Sequence, residues 1–212
     1  MSDDDVASTA MNQGGSVKLK KLTSTRRGRV ALAAVPAAVA VTVLMGGVAS
    51  GAVPVSFAVS GLPFQVGASQ LEGDGFSQYS GVAVDADGKQ NPVAISAIQN
   101  ATLADLCQSV SIPGAPVGLK ITAGGGGKPA EAKDLLIGMT DLKGDATFTN
   151  IRIGIDASKV QTTAKGSKGD FAQDADHVSI KGLKQTSLST QAGTFTLNGL
   201  HLFITSPKDT CF

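Results

Sequence analysis

The segment Val30–Val48 contains no charged residue, and the next charge along the chain is Glu72. Three arginines, Arg26, Arg27 and Arg29, lie just before it. A positive flank of this kind stays on the cytoplasmic side of a membrane, so the rest of the chain is predicted to be translocated. As a helix the segment would be about 28 Å long at about 1.5 Å per residue, close to the thickness of the hydrocarbon layer.

Two interpretations of this segment stay open. A retained helix would anchor the following domain at the outer face of the membrane. A signal peptide would be removed, and Ser50-Gly51-Ala52 supplies the small residues that predict cleavage after Ala52. Thr25-Arg26-Arg27 also resembles part of a twin-arginine signal. A buried core helix is the third interpretation, but no amphipathic period nearby supports it.

These features predict three regions. Residues 1–29 form a disordered, basic cytoplasmic leader, residues 30–52 a signal peptide or membrane-anchor helix, and residues 53–212 an exported β domain. The membrane contacts the chain through residues 30–48, at least during export. The expected location is therefore extracytoplasmic, either at the outer face of the cell membrane or secreted.

The charge of the exported part argues against nucleic acid as a partner. The leader holds six of the 18 basic and three of the 17 acidic residues, which leaves 12 basic and 14 acidic residues beyond it. Nucleic-acid binding normally needs clustered lysine and arginine on one face. With no Trp and one Tyr, the chain also lacks aromatic platforms on which bases stack.

Alternating apolar residues predict β-strands along the exported part. Val55, Phe57 and Val59 occupy one phase, and a second set of the same period is Ile151, Ile153 and Ile155. Related stretches, ATFTNIRIG at 146–154 and GTFTLNGLHL at 193–202, suggest two similar strand units. The predicted fold is all-β, an antiparallel sandwich or a flattened, barrel-like single domain after the N-terminal hydrophobic helix.

Turn signals separate the predicted strands. Asp87-Gly88 predicts a hairpin, SIPGAPV at 111–117 a corner, AGGGGKP at 123–129 a flexible turn, and Asn198-Gly199 a bulge or tight turn. The best helical candidate is the short stretch Ile98–Leu106.

The two cysteines, Cys107 and Cys211, both lie in the translocated part, and an even number in an oxidising compartment predicts a disulfide. The bridge would close a long loop and fix the C-terminal SPKDTCF to the middle of the domain. A reactive or metal-binding thiol is the alternative, but no histidine or third cysteine is near either residue in sequence.

Catalytic candidates are few. The segments that come nearest to the Gly-x-Ser-x-Gly nucleophile motif centre on Ser69 and Ser77, and both lack the second glycine. The available bases are His177 and His201, with Asp174 as a possible orienting acid. His201 is expected on the outward face of the strand LHLFI.

Binding motifs are equally sparse. Asp174, Asp176 and His177 could hold a metal ion, although a polar loop before the strand VSI explains them as well. GGGGKP lacks the spacing of a phosphate loop, and Asp85-Ala86-Asp87-Gly88 resembles only the start of a calcium loop. We therefore expect no cofactor.

Several segments together resemble a known family. They are VSFAVSGLPFQVGASQLEGDGFSQYSGV, LADLCQSV, DATFTNIRIG, DFAQDAD, KQTSLSTQAGTFTLNGL and the terminal CF. They are similar to exported proteins of unknown function from Streptomyces and related actinomycetes, which often carry the label "cholesterol esterase". The resemblance covers residues 53–212 with both cysteines, and it implies an actinomycete envelope or extracellular setting.

The predicted function is a non-catalytic envelope or extracellular protein that binds an apolar, lipid-like ligand or an envelope partner. A β-sandwich whose sheets do not quite close would leave a lipid-sized cleft. The alternatives are a sterol or lipid ester hydrolase with a non-standard serine–histidine site, and a purely structural envelope protein.

Overall fold

The computed structural model describes residues 56–212, with side chains from Ser60 onward. The predicted leader and the predicted helix at 30–52 lie outside this range. Among the described residues we find no helix with the length and apolar character needed to cross a bilayer.

The described part of the chain forms ten β-strands. They are β1 (Ser56–Val59), β2 (Phe64–Asp85), β3 (Gln90–Ala104), β4 (Leu106–Ser111), β5 (Gly118–Ala123), β6 (Ala130–Thr149), β7 (Arg152–Asp156), β8 (Phe171–Gln191), β9 (Thr194–Thr196) and β10 (His201–Thr205). A single turn of 3₁₀ helix, Ala157–Lys159, follows β7. The all-β prediction is confirmed.

Four long strands close into a small barrel. The sheet order is β10-β5-β4-β2-β3-β6-β8-β7, and β2 pairs in addition with β8, which joins β2, β3, β6 and β8 into a ring. Within this ring the pairs are antiparallel. Of the two predicted architectures, the chain therefore forms the barrel, and closure removes the free edges of its four strands.

Buried side chains occur on both faces of the barrel strands. Leu135 and Ile137 belong to the main hydrophobic cluster with Leu71 and Ile98, whereas Leu136 between them packs in a second cluster. Because alternate residues of a strand point to opposite faces, the second cluster lies on the other side of the sheet. Residues of the 157–164 connection cover it.

The barrel is narrow, and glycine is needed where its strands come closest. A Cβ atom on Gly73 would lie 2.7 Å from Cγ2 of Ile98 and 3.1 Å from Cγ1 of Val178, closer than packed carbon atoms allow. Side chains of β3 and β8 therefore pack directly over Gly73 of β2.

The turn predictions agree with the connections. Asp87-Gly88 lies between β2 and β3, SIPGAPV between β4 and β5, the glycine-rich stretch between β5 and β6, and Asn198-Gly199 between β9 and β10. The related stretches at 146–154 and 193–202 also have similar structures. In each, a strand ends with TFT, a turn with an asparagine follows, and one of the outermost strands, β7 or β10, begins.

Two local predictions are wrong. Ile98–Leu106 forms the end of β3 and the start of β4 rather than a helix. Ile98 and Ala101 are three residues apart and are both buried in the main hydrophobic cluster, a spacing that is also typical of a helix. Between them, Gln99 pairs with neither β2 nor β6, so the alternation of the strand is interrupted at this residue. The alternation of Ile151, Ile153 and Ile155 also predicts a half-buried strand, but Ile153 is 65% exposed. It lies on the outermost strand β7, next to a shift in the register with β8.

Candidate functional site

Strands β4, β5 and β10 extend the barrel sheet sideways, and we call them the lateral sheet. Cross-strand register places Val66, Gln108, Ile121 and Leu202 in one row from β2 to β10. A second row contains Val110, Leu119 and Ile204. Since residues in register share a face, these rows form one mostly apolar face that begins at the barrel core.

This apolar face becomes more exposed toward β10. Val66 is buried, Ile121 is half-buried, and Leu202 and Ile204 are 55% and 63% exposed. Leu200, just before β10, is 53% exposed. Single exposed apolar residues are common on protein surfaces, whereas a contiguous group of this kind often marks a binding site. We therefore take this face as the candidate functional site.

The opposite face of the lateral sheet is covered by the C-terminal tail, Ser206–Phe212. A disulfide joins Cys107 of β4 to Cys211, as the sequence predicts. Lys120 of β5 forms an ion pair of 2.7 Å with Asp209, and the Cys211 amide donates to the Ser109 hydroxyl. Within the described residues, the tail thus contacts the face of the lateral sheet opposite the apolar face.

The barrel core offers little room for a ligand. It contains a cavity of about 20 Å³ lined by apolar side chains such as Leu71, Leu103 and Leu183 and by a few polar ones such as Gln185. A volume of this size holds about one water molecule. This cavity is far smaller than the expected lipid-sized cleft, and the apolar face of the lateral sheet is the better candidate.

A histidine cluster lies where β8 pairs with β2. Nδ1 of His177 is 2.7 Å from Oδ1 of Asp74, and Nε2 is 2.9 Å from Oε2 of Glu72. Ser179 donates to Glu72 at 3.0 Å, and Gln70 does so at 2.7 Å. Ionised carboxylates only accept hydrogen bonds, so both contacts of His177 are satisfied together only when its ring carries two protons.

The charges in this cluster shift the pKa values accordingly. Hydrogen bonds to Asp74 and Glu72 raise the pKa of His177 above 6.5, against a smaller opposing effect of burial. Burial opposes ionisation of Glu72, but hydrogen bonds from His177, Ser179 and Gln70 outweigh it and lower the pKa of Glu72 below 4.5. The cluster therefore favours a charged histidine between two carboxylates.

The barrel should consequently be most stable in mildly acidic solution. A raised pKa means that His177 stabilises the fold fully below its unfolded pKa of about 6.5, and that this contribution is lost as pH rises through the folded pKa. Glu72 acts in the opposite sense, so its contribution is lost as pH falls through its own lowered pKa. We expect His177→Gln to flatten the fall in melting temperature above neutral pH. An NMR titration giving His177 a pKa at or below about 6.5 would contradict this.

Comparison with known proteins identifies the domain. A model described as a family of unknown function, DUF6230, matches residues 60–212, well over half of the chain. The chain belongs to this family. No curated protein and no solved structure matches it.

In this DUF6230 domain, the predicted metal residues make separate contacts. Asp174 is buried and bonds Arg152 through both carboxylate oxygens, at 2.8 and 2.6 Å, while Asp176 accepts from Asn150 at 2.7 Å. His177 contacts the two carboxylates of β2 instead. These residues lie in β8 and not in a loop. No group of three or more potential ligands is placed to hold a metal ion in residues 56–212.

The predicted catalytic residues of the DUF6230 domain are not brought together. Ser69 donates to Asp105 at 2.6 Å, and Ser77 is fully buried against Thr162. His201 is exposed, as expected, and stacks on Phe203 with ring centroids 4.6 Å apart. Neither histidine has a serine hydroxyl among its hydrogen-bond partners in the described part of the chain.

Sequence reasoning missed the partners of His177 and the exposure of β10. Glu72 and Asp74 are two residues apart and hence on one face of a strand, which is a readable signal. Their pairing with His177, 103 residues beyond Asp74, has no local signal. Leu200, Leu202 and Ile204 alternate with other residues in the sequence, but alternation alone does not predict that they are exposed.

Proposed function

We propose that this DUF6230 protein is a non-catalytic binding protein outside the cytoplasmic membrane, and that it binds lipid-like apolar surfaces through the apolar face of the lateral sheet. The observation that carries the proposal is the exposure of Leu200, Leu202 and Ile204 on a sheet whose other face is covered and covalently fixed. The disulfide is compatible with an extracytoplasmic location, because such bonds persist in oxidising compartments.

The rigidity of this face supports binding rather than incidental exposure. The lateral sheet continues the hydrogen-bonded sheet of the barrel, and the tail contacts keep it from moving independently. A face that is already ordered loses little conformational entropy when it binds. Retention of the predicted hydrophobic segment, residues 30–52, as a membrane anchor would place this face near a bilayer. An ester hydrolase would need a serine–histidine pair, and among residues 60–212 the hydrogen bonds of His177 go to carboxylates instead.

Flotation with phosphatidylcholine vesicles tests the proposal. We expect the protein recovered after export to bind, and L202S/I204S to bind at least about tenfold more weakly, because each partly exposed side chain contributes about 1 kcal/mol when buried. The matched control is I153S/F171S, which removes two residues that are 65% and 63% exposed elsewhere. Equal effects of the two pairs, or no vesicle binding by the native protein, would reject lipid binding and favour a structural role.

A further inference from the structure

The two ends of the sheet differ in how their outermost strands are protected. β7 carries charged Arg152 and Asp156 and a register shift between Ile153 and Ile155. Charges and irregularities of this kind prevent an edge from pairing with another chain. β10 has the sequence HLFIT, with regular pairing to β5 and neither lysine nor proline.

Strand β10 pairs only with β5 in the described part of the chain. One side of its backbone therefore presents unpaired N–H and C=O groups in an extended strand, which is a template for another strand. The C-terminal tail does not fill this position, because its contacts with Lys120, Ser109 and Gln65 carry it across the covered face toward β2.

From this edge we infer that two copies of the chain associate through antiparallel pairing of β10 with β10. The occupant is a second copy because the strand is complementary to itself. With Phe203 on the two-fold axis, Leu202 of each copy lies opposite Ile204 of the other on the apolar face. On the covered face, His201 lies opposite Thr205, and no like charges meet.

Pairing in this register would join the apolar faces of two copies into one surface across the axis. The row from Val66 to Leu202 in one copy would continue into Ile204, Leu119 and Val110 of the other. A five-residue ladder buries less than the about 1,200–2,000 Å² typical of stable complexes, so the dimer should be weak and dependent on concentration. The inference does not depend on lipid binding.

Two double variants separate pairing from the apolar character of the face. L202K/I204K places lysine opposite lysine at both symmetry-related positions, whereas L202K/I204E places lysine opposite glutamate. Both replace the two apolar side chains that β10 contributes to the face, and these side chains are exposed, so folding should be retained. We expect the dissociation constant of L202K/I204K to be at least about tenfold higher than that of L202K/I204E.

Sedimentation velocity of the protein recovered after export measures these constants, over about 1 μM to about 1 mM. The native protein should approach twice its monomer mass, and Ile153→Lys on β7 should behave like it. A native protein that stays monomeric, equal behaviour of the two double variants, or loss of association in Ile153→Lys would overturn the inference. Hydrogen exchange adds an independent measurement, because amides of β10 should exchange more slowly at high concentration. Protection independent of concentration would mean that the chain covers β10 itself.

Discussion

The Cys107→Ala/Cys211→Ala variant is expected to be less stable than the native protein by about 4–5 kcal/mol. The disulfide closes a loop with a sequence separation of 104 residues. Opening a loop of this length enlarges the conformational freedom of the unfolded chain, and the entropy model puts that effect at about 4.7 kcal/mol for 100 residues. Part of the loss should appear locally, because the remaining contacts of the tail with the lateral sheet include weaker polar ones, at Lys120 and Ser109.

Urea denaturation of three samples checks this expectation: the oxidised protein, the reduced protein and the double variant. No other cysteine is present, so reduction and substitution should give the same midpoint. The amides of the tail and of β4 should lose most of their protection from hydrogen exchange. A loss below about 1 kcal/mol would mean that the unfolded chain gains little freedom from opening the loop.

The second large effect is expected at Gly124, which directly follows β5. Its φ is +75°, and a Cβ atom there would lie 2.5 Å from the carbonyl oxygen of Leu103 and 2.7 Å from the amide nitrogen of Ala130. Both are backbone atoms of barrel strands and cannot rotate away. Gly124→Ala should therefore cost about 3–4 kcal/mol, the sum of left-handed strain of about 1–2 kcal/mol and overpacking.

Gly126, two residues later, provides a matched control. Its φ is +63°, but a Cβ atom there would meet nothing within 4 Å. Gly126→Ala should therefore cost only the backbone strain, about 1–2 kcal/mol. Thermal denaturation of both variants measures the difference. Equal losses would show that the contacts with Leu103 and Ala130 relax without cost, and that the turn is not fixed against the barrel.

Much of the strand content could be predicted from the sequence, whereas closure of the barrel could not. Period-two alternation and the turn residues at Asp87-Gly88 and Asn198-Gly199 act locally, so they are visible in a short window. Closure depends on β2 pairing with both β3 and β8, and the second of these lies over 100 residues away. Because β6 buries Leu136 on one face and Leu135 and Ile137 on the other, its sequence shows no simple alternation.

The candidate sites were predictable to a smaller extent. Cys107 and Cys211 were paired correctly, because the chain has only two cysteines and one possible bridge. The sequence places His177 beside Asp174 and Asp176, whereas in the structure its contacts are with Glu72 and Asp74 on another strand. Which acidic residues surround a histidine in a sheet depends on strand register, and register is a property of the whole barrel.

Closure of β2 against β8 sets the order in which the molecule can be assembled. The first barrel strand, β2, needs β8 as a partner, which lies about 100 residues later in the sequence, and the disulfide needs Cys211. Loop closure over such distances is slow compared with local hairpin formation. Synthesis as far as Cys211 must therefore precede completion of the native state. Until then its aliphatic segments remain accessible, and they would need protection from premature aggregation.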